Sequence, residues 1–141
     1  MFHSLHRALM TAAVFAALLT VVPSSPAGAA AGFGDVHEDA FYAVPIQWMS
    51  DNGITTGTSP GCFSPGNNVT RADVAVFVHR YAGEPAGGSE PFSDVSTGQY
   101  FTEAIAWMVN NGITTGTTGT TFSPSRAVTR GELVTFLWRF M

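Results

Sequence analysis

From residue 33 onward, the apolar positions fall into four short stretches of helical period, separated by polar segments that carry Gly and Pro. Ile46, Trp48 and Met49 form the first apolar stripe. Val74, Phe77, Val78 and Tyr81 form the second, at the i, i+3, i+4, i+7 spacing that places side chains on one helical face. Ile105, Trp107 and Met108 repeat the first stripe, and Leu133, Phe136, Leu137 and Phe140 repeat the second. The pattern predicts an all-α chain built from helix–loop–helix units.

The resemblance between the halves extends well beyond hydropathy. Phe33-x-Asp35-Val36 returns as Phe92-x-Asp94-Val95, Asn52-Gly53-Ile54-Thr55-Thr56-Gly57-Thr58 as Asn111-Gly112-Ile113-Thr114-Thr115-Gly116-Thr117, and Phe63-Ser64-Pro65 as Phe122-Ser123-Pro124. The offset stays at 59 residues, from Phe33 to Phe92, so no insertion separates the copies. A duplicated unit of this size is a supersecondary element that buries its apolar face against its own kind. Such duplication favours a binding or assembly module over an enzyme.

Local signals set the helix limits. Pro45 is tolerated only near a helix start, and Asn52-Gly53 and Asn111-Gly112 supply the stop, because Gly accepts the left-handed conformation that closes a helix. For the second helix of each unit, Thr70 and Thr129 are N-caps, with Asp73 and Glu132 three residues on to complete a capping box. Val69 with Val74, and Val128 with Leu133, are spaced as hydrophobic staples. Phe63 and Phe122, alone in their loops, are expected to plug the core. Residues 82–91 read as a short flexible linker, leaving units at 32–81 and 92–141.

Composition then narrows the class. Residues 1–31 have the layout of a secretory signal peptide. A weakly basic start leads into the apolar run Ala8–Val22, which is shorter than a bilayer span, and small residues suited to cleavage after Ala29 or Ala31 follow. No membrane association is expected after cleavage. The remaining chain has ten carboxylates against five arginines and no lysine, which argues against nucleic-acid binding. Cys62 is the single cysteine, so no intrachain disulfide forms, and its match in the second unit is Thr121. With two helix pairs and dense aromatics, some apolar surface is expected to be completed by another chain.

Candidate chemistry is filtered by asking whether both copies carry it. Gly57-x-Ser59-x-Gly61 spells a nucleophile elbow, but it lacks the strand–turn–helix setting, and the second copy has no serine. His37 and His79 are replaced by Ser96 and Trp138, so they are read as surface residues. No metal-ligand spacing occurs and no cofactor is implied. What both copies keep is Arg71 and Arg130, at the first position of the second helix, where a cation opposes the helix dipole. One reading is an anion site, guanidinium plus helix N–H groups facing a carboxylate or phosphate. The other is an ion pair with Asp35 or Asp94. Trp48 and Trp107 are expected in the core, while Trp138 lies off the stripe and is read as an interchain or sugar contact.

These residues together resemble the S-layer homology domain. The shared pattern is the F-x-D-V opening, an A-I-x-W-like helix, N-G-I, a glycine loop, F-x-P, and a V-T-R-A-E opening to a second helix that ends in Arg. It appears twice, from Phe33 to Arg80 and from Phe92 to Arg139. The motif departs from regularity as Thr70-Arg71-Ala72-Asp73 and Thr129-Arg130-Gly131-Glu132. The resemblance implies modules that attach exported proteins to acidic, often pyruvylated, wall polysaccharides, commonly three to a pseudo-threefold bundle with grooves between them. It also implies ligand contacts by Arg71 and Arg130, with Gly57 and Gly116 in the adjoining loops. On the reading of the residues themselves, Asp35, Asp94, Asp73 and Glu132 are further ligand or ion-pair partners. The sequence thus leads to a secreted, non-catalytic, wall-associated module that binds acidic glycan and associates with itself or another such chain. The alternative is an extracellular interaction module without glycan affinity.

Overall fold

Four helices carry the chain: α1 (Ala43–Asp51), α2 (Arg71–Tyr81), α3 (Thr102–Asn110) and α4 (Arg130–Phe140), preceded by a 3-10 turn at Ala30–Gly32. They are described in a computed structural model covering residues 28–141. The apolar leader at 1–27 lies outside the described residues. Among the described residues extended pairing is limited to isolated bridges, and the tandem all-α arrangement is the observed fold.

The helix limits follow the local chemistry. Thr70 and Thr129 each accept the N–H of the residue three on, while Asp73 and Glu132 accept the cap N–H, so both capping boxes close. α1 and α3 stop at Asn52 and Asn111, whose side-chain amides donate to the carbonyls of Trp48 and Trp107 at 2.8 Å. Gly53 and Gly112 follow at φ of 68° and 70°.

Helix packing is the chief tertiary fact. Within each unit the two helices meet only through side chains, Trp48 on Tyr81 and Trp107 on Phe140, and the main helix–helix contact runs between units, α2 against α3, with α2 also meeting α4. The larger core therefore mixes both copies: Val74, Ala75 and Val78 of α2 pack with Ile105, Trp107 and Met108 of α3, together with Phe122 and Phe136. A smaller core gathers Phe33, Val36, Ala43 and Ile46 under the 3-10 turn. Residues 28–31, assigned by sequence to the leader, lie against that unit: Ala30 N–H donates to Val36 O and Glu38 N–H to Gly28 O, both at 2.9 Å.

Three expectations change here. Trp107 is in the core at 7% exposure, but Trp48 at the same repeat position is 49% exposed, because among the described residues no helix covers α1 as α2 covers α3. His79 is buried rather than on the surface: it lies on the α2 face covered by α3, against the Trp107 ring, and its Nε2 bonds Pro85 O at 2.7 Å. The linker is tied down. Gly87 is buried, donates its N–H to Glu103 Oε1 at 2.7 Å and accepts from the Asn110 amide. A Cβ on Gly87 would fall 2.3 Å from Glu103 O, so only glycine permits this approach.

Candidate functional site

Each loop is built the same way. The Asp35 carboxylate accepts the N–H groups of Phe63 (2.8 Å) and Ser64 (2.7 Å), and Asp94 accepts those of Phe122 and Ser123, both at 2.8 Å. These two backbone bonds hold the Asp35 carboxyl below its ordinary value. The ion pairs expected between these aspartates and Arg71 or Arg130 do not form; the Phe-Ser segments, whose consecutive N–H groups need acceptors, take both oxygens instead. Across the loop, Thr58 bonds Ser64 through their hydroxyls at 2.8 Å, and Thr117 bonds Ser123 at 2.9 Å. Gly57 and Gly116 have φ of 80° and 82°, and a Cβ on either would fall within 2.6 Å of a packed Phe ring, Phe33 or Phe92. Their first role is to let the loop close.

Arg71 and Arg130 occupy different surroundings despite equal positions in the repeat. Arg71 is 2% exposed. Its Nε donates to Phe122 O and its Nη1 to Glu132 Oε1, both at 2.8 Å, and the guanidinium lies 4.6 Å and 5.1 Å from the Phe122 and Phe136 ring centroids. Its backbone N–H reaches Arg126 O at 2.9 Å. All these partners belong to the second unit, so Arg71 clamps the two units together, and burial pulls its pKa down. Its Nη2 is buried without an acceptor. Glu132 also takes Arg126 and the Thr129 cap, and these donors hold its pKa at about 2. Arg130 is exposed at the start of α4.

Where the units adjoin, a groove of about 450 Å³ opens. Its floor is the 55–58 loop with Gly57, one wall is Ser64, Pro65, Asn67 and Asn68, and α2 supplies Asp73, Phe77 and Arg80. Tyr100, from the second unit, closes the far side. Its hydroxyl donates to Asp73 Oδ1 at 2.8 Å, and burial together with that carboxylate raises the phenol to about 12. Arg80 Nη1 donates to Ile54 O at 3.2 Å and its Nε lies 3.6 Å from Glu84 Oε1, leaving Nη2 of a partly exposed guanidinium as a further donor. Threonine and serine hydroxyls, asparagine amides, a cation and aromatic faces suit a polar, polyhydroxylated, anionic ligand.

Of the residues singled out from sequence, Gly57 and Asp73 line this groove; Arg71 and Glu132 form the clamp, and Asp35 and Asp94 lock the loops. Arg80 and Tyr100 were not singled out. Arg80 had a signal, since Arg139 matches it and donates likewise to Ile113 O, at 3.4 Å. Tyr100 had a weaker one, being replaced by Phe41 in the other copy.

The sequence profile described as the S-layer homology domain matches residues 32–75 and 91–134, more than half the chain. The chain is 32% identical over 113 residues, 79% of its length, to the Surface-layer 125 kDa protein of Lysinibacillus sphaericus. It is 29% identical over 94% of its length to an S-layer protein of Bacillus thuringiensis subsp. finitimus. A Cellulosome-anchoring protein of Acetivibrio thermocellus shares 31% identity over 60% of it. The chain spans only 10%, 16% and 20% of those proteins. The F-x-D-V carboxylate locks, the twin capping boxes and the matched segments agree in register: the chain belongs to the S-layer homology domain family and carries two of its modules.

Proposed function

We propose that this chain is a cell-surface anchoring module that binds an acidic wall polysaccharide in the groove between its two modules. Family membership carries the coarse statement, a non-catalytic module of the cell envelope. The observation that supports the finer one is the groove itself, where Arg80 faces hydroxyl and amide groups under an aromatic rim. Arg80 in the groove meets the carboxylates of the polymer, pyruvyl ketals among them, by charge-assisted hydrogen bonds, and Arg130, exposed outside the groove at the start of α4, is a second contact where the polymer runs on. Arg71 takes part by holding the groove's two sides in register, and its unpartnered Nη2 is a donor that a ligand carboxylate can reach only by displacing its packed neighbours. Gly57 and Gly116 shape the loops. Association with another chain belongs to the same proposal, since α4 leaves an apolar face in solvent.

The test is co-sedimentation with purified wall sacculi, before and after mild acid removal of acidic polymers. Arg80→Gln with Arg130→Gln is expected to weaken binding about tenfold or more, with helicity unchanged. Equal binding to stripped and intact walls would sink the proposal.

A further inference from the structure

Among the described residues, equivalent helices of the two copies are covered unequally. On α2, Ala75 and His79 are 0% and 7% exposed beneath α3; on α4, the matching Val134 and Trp138 are 61% and 74% exposed. Leu133 and Leu137 are likewise exposed where Val74 and Val78 are buried. The converse holds on the other helix of each module. α3 is sealed by α2, while α1 turns Val44 and Trp48 to solvent with Phe41 just before it. Among the described residues this contact is made once, α2 on α3, and its two halves are left unmatched at α4 and α1.

We propose that a second copy of this chain docks its α1 edge, Phe41, Val44 and Trp48, onto α4 in the geometry that α3 takes on α2. This continues an interface the chain already makes. The differences between copies fit the occupant. His79 stacks on Trp107 at 5.4 Å between ring centroids, and the matching pair across copies is Trp138 on Trp48, two aromatics. α3 has Glu103, which accepts from Gly87 in the linker; α1 has Val44 there, beside residues 28–31, which hold the linker's place in the first unit. Tyr100 is needed to donate to Asp73, whereas Phe41 would face Glu132, whose oxygens already take Arg71 and Arg126.

The contact is heterologous, one face on a different face, so it closes into a ring or extends as a chain according to the rotation between units. It also completes a site. The first groove exists because Tyr100 of the following module closes it. The loop of Gly116 with Arg139 lacks such a rim among the described residues, and the partner's Phe41 would provide it. This second groove rests on the glycan reading above; the association does not.

Sedimentation velocity on the purified chain decides it. Wild type is expected to associate with a midpoint on the order of 1–100 μM. Val134→Asp with Trp138→Asp breaks the α4 face, and Phe41→Asp with Trp48→Asp breaks the α1 edge, since the counterpart of Trp48, Trp107, is the one buried beneath α2; all four side chains are exposed, so circular dichroism is expected to stay unchanged. Each double variant alone is expected to be monomeric, and an equal mixture to give a one-to-one heterodimer through the two intact faces. A monomeric wild type, whether α4 is bare or covered by residues 8–22 of its own chain, overturns the proposal. So does self-association of the α1-edge variant alone, which would mean α4 on α4, or the absence of heterodimer in the mixture. Polysaccharide released from sacculi should load each chain of the associated form about twofold more than the monomeric variant. Association with no polysaccharide bound in either form would sink the groove reading alone.

Discussion

Glu132→Gln isolates the charge at the centre of the module interface while keeping the shape of the side chain. One carboxylate oxygen of Glu132 meets the buried Arg71 at 2.8 Å and also Arg126; the other takes the Thr129 cap N–H at 2.9 Å. An amide there would leave the Arg71 cation uncompensated in a site with 2% exposure. Removing one partner of a buried pair costs about 3–5 kcal/mol. The depression of Glu132 from 4.5 to about 2 gives about 3 kcal/mol by linkage, the same order. Glu132 keeps 27% of its side chain in solvent, so screening lowers the expectation to about 2 kcal/mol. The sign with pH follows from the depressed value. The stabilisation is complete above the unfolded value of 4.5 and is lost as pH falls toward about 2. Urea unfolding followed by tryptophan emission should show the variant about 2 kcal/mol less stable at pH 6, with the gap shrinking by about 1.5 kcal/mol at pH 3. A gap under about 0.5 kcal/mol at pH 6, or one that does not change by pH 3, would refute the clamp.

Two further substitutions test the asymmetry and the loop. Trp107→Ala should cost about 3–5 kcal/mol in thermal or urea unfolding, and Trp48→Ala less than half of that in the monomer, because only Trp107 is sealed beneath α2; equal losses would mean that α1 is covered in solution. Gly116→Ala should cost at least about 2 kcal/mol in the same assay, since a Cβ would stand 2.5 Å from Phe92, Thr118 O and Thr121 O at a φ of 82°; a neutral result would mean the loop does not close as described.

Much of the local architecture is written in the sequence, because its causes act within a few residues. The capping boxes at Thr70 and Thr129, the Asn-Gly stops and the Phe122 plug depend on residue chemistry at fixed short spacing. The duplication identified the repeating unit and the family. The site was less legible. Arg80 and Tyr100 lie 20 positions apart on different modules, and no local spacing announces that they share a groove.

What the sequence by itself determined is the unit: two copies of a helix–loop–helix with equal caps, equal loops and an equal Arg at the head of the second helix. The tertiary structure decided which copy of each residue is inside. Arg71 and Arg130, Trp48 and Trp107, His79 and Trp138 hold equal places in the repeat and opposite places in the fold. The physical reason is that burial depends on the neighbour: α2 and α3 cover each other, while α1 and α4 stand at the two ends of the array, where the interface has nothing within the described residues to continue onto.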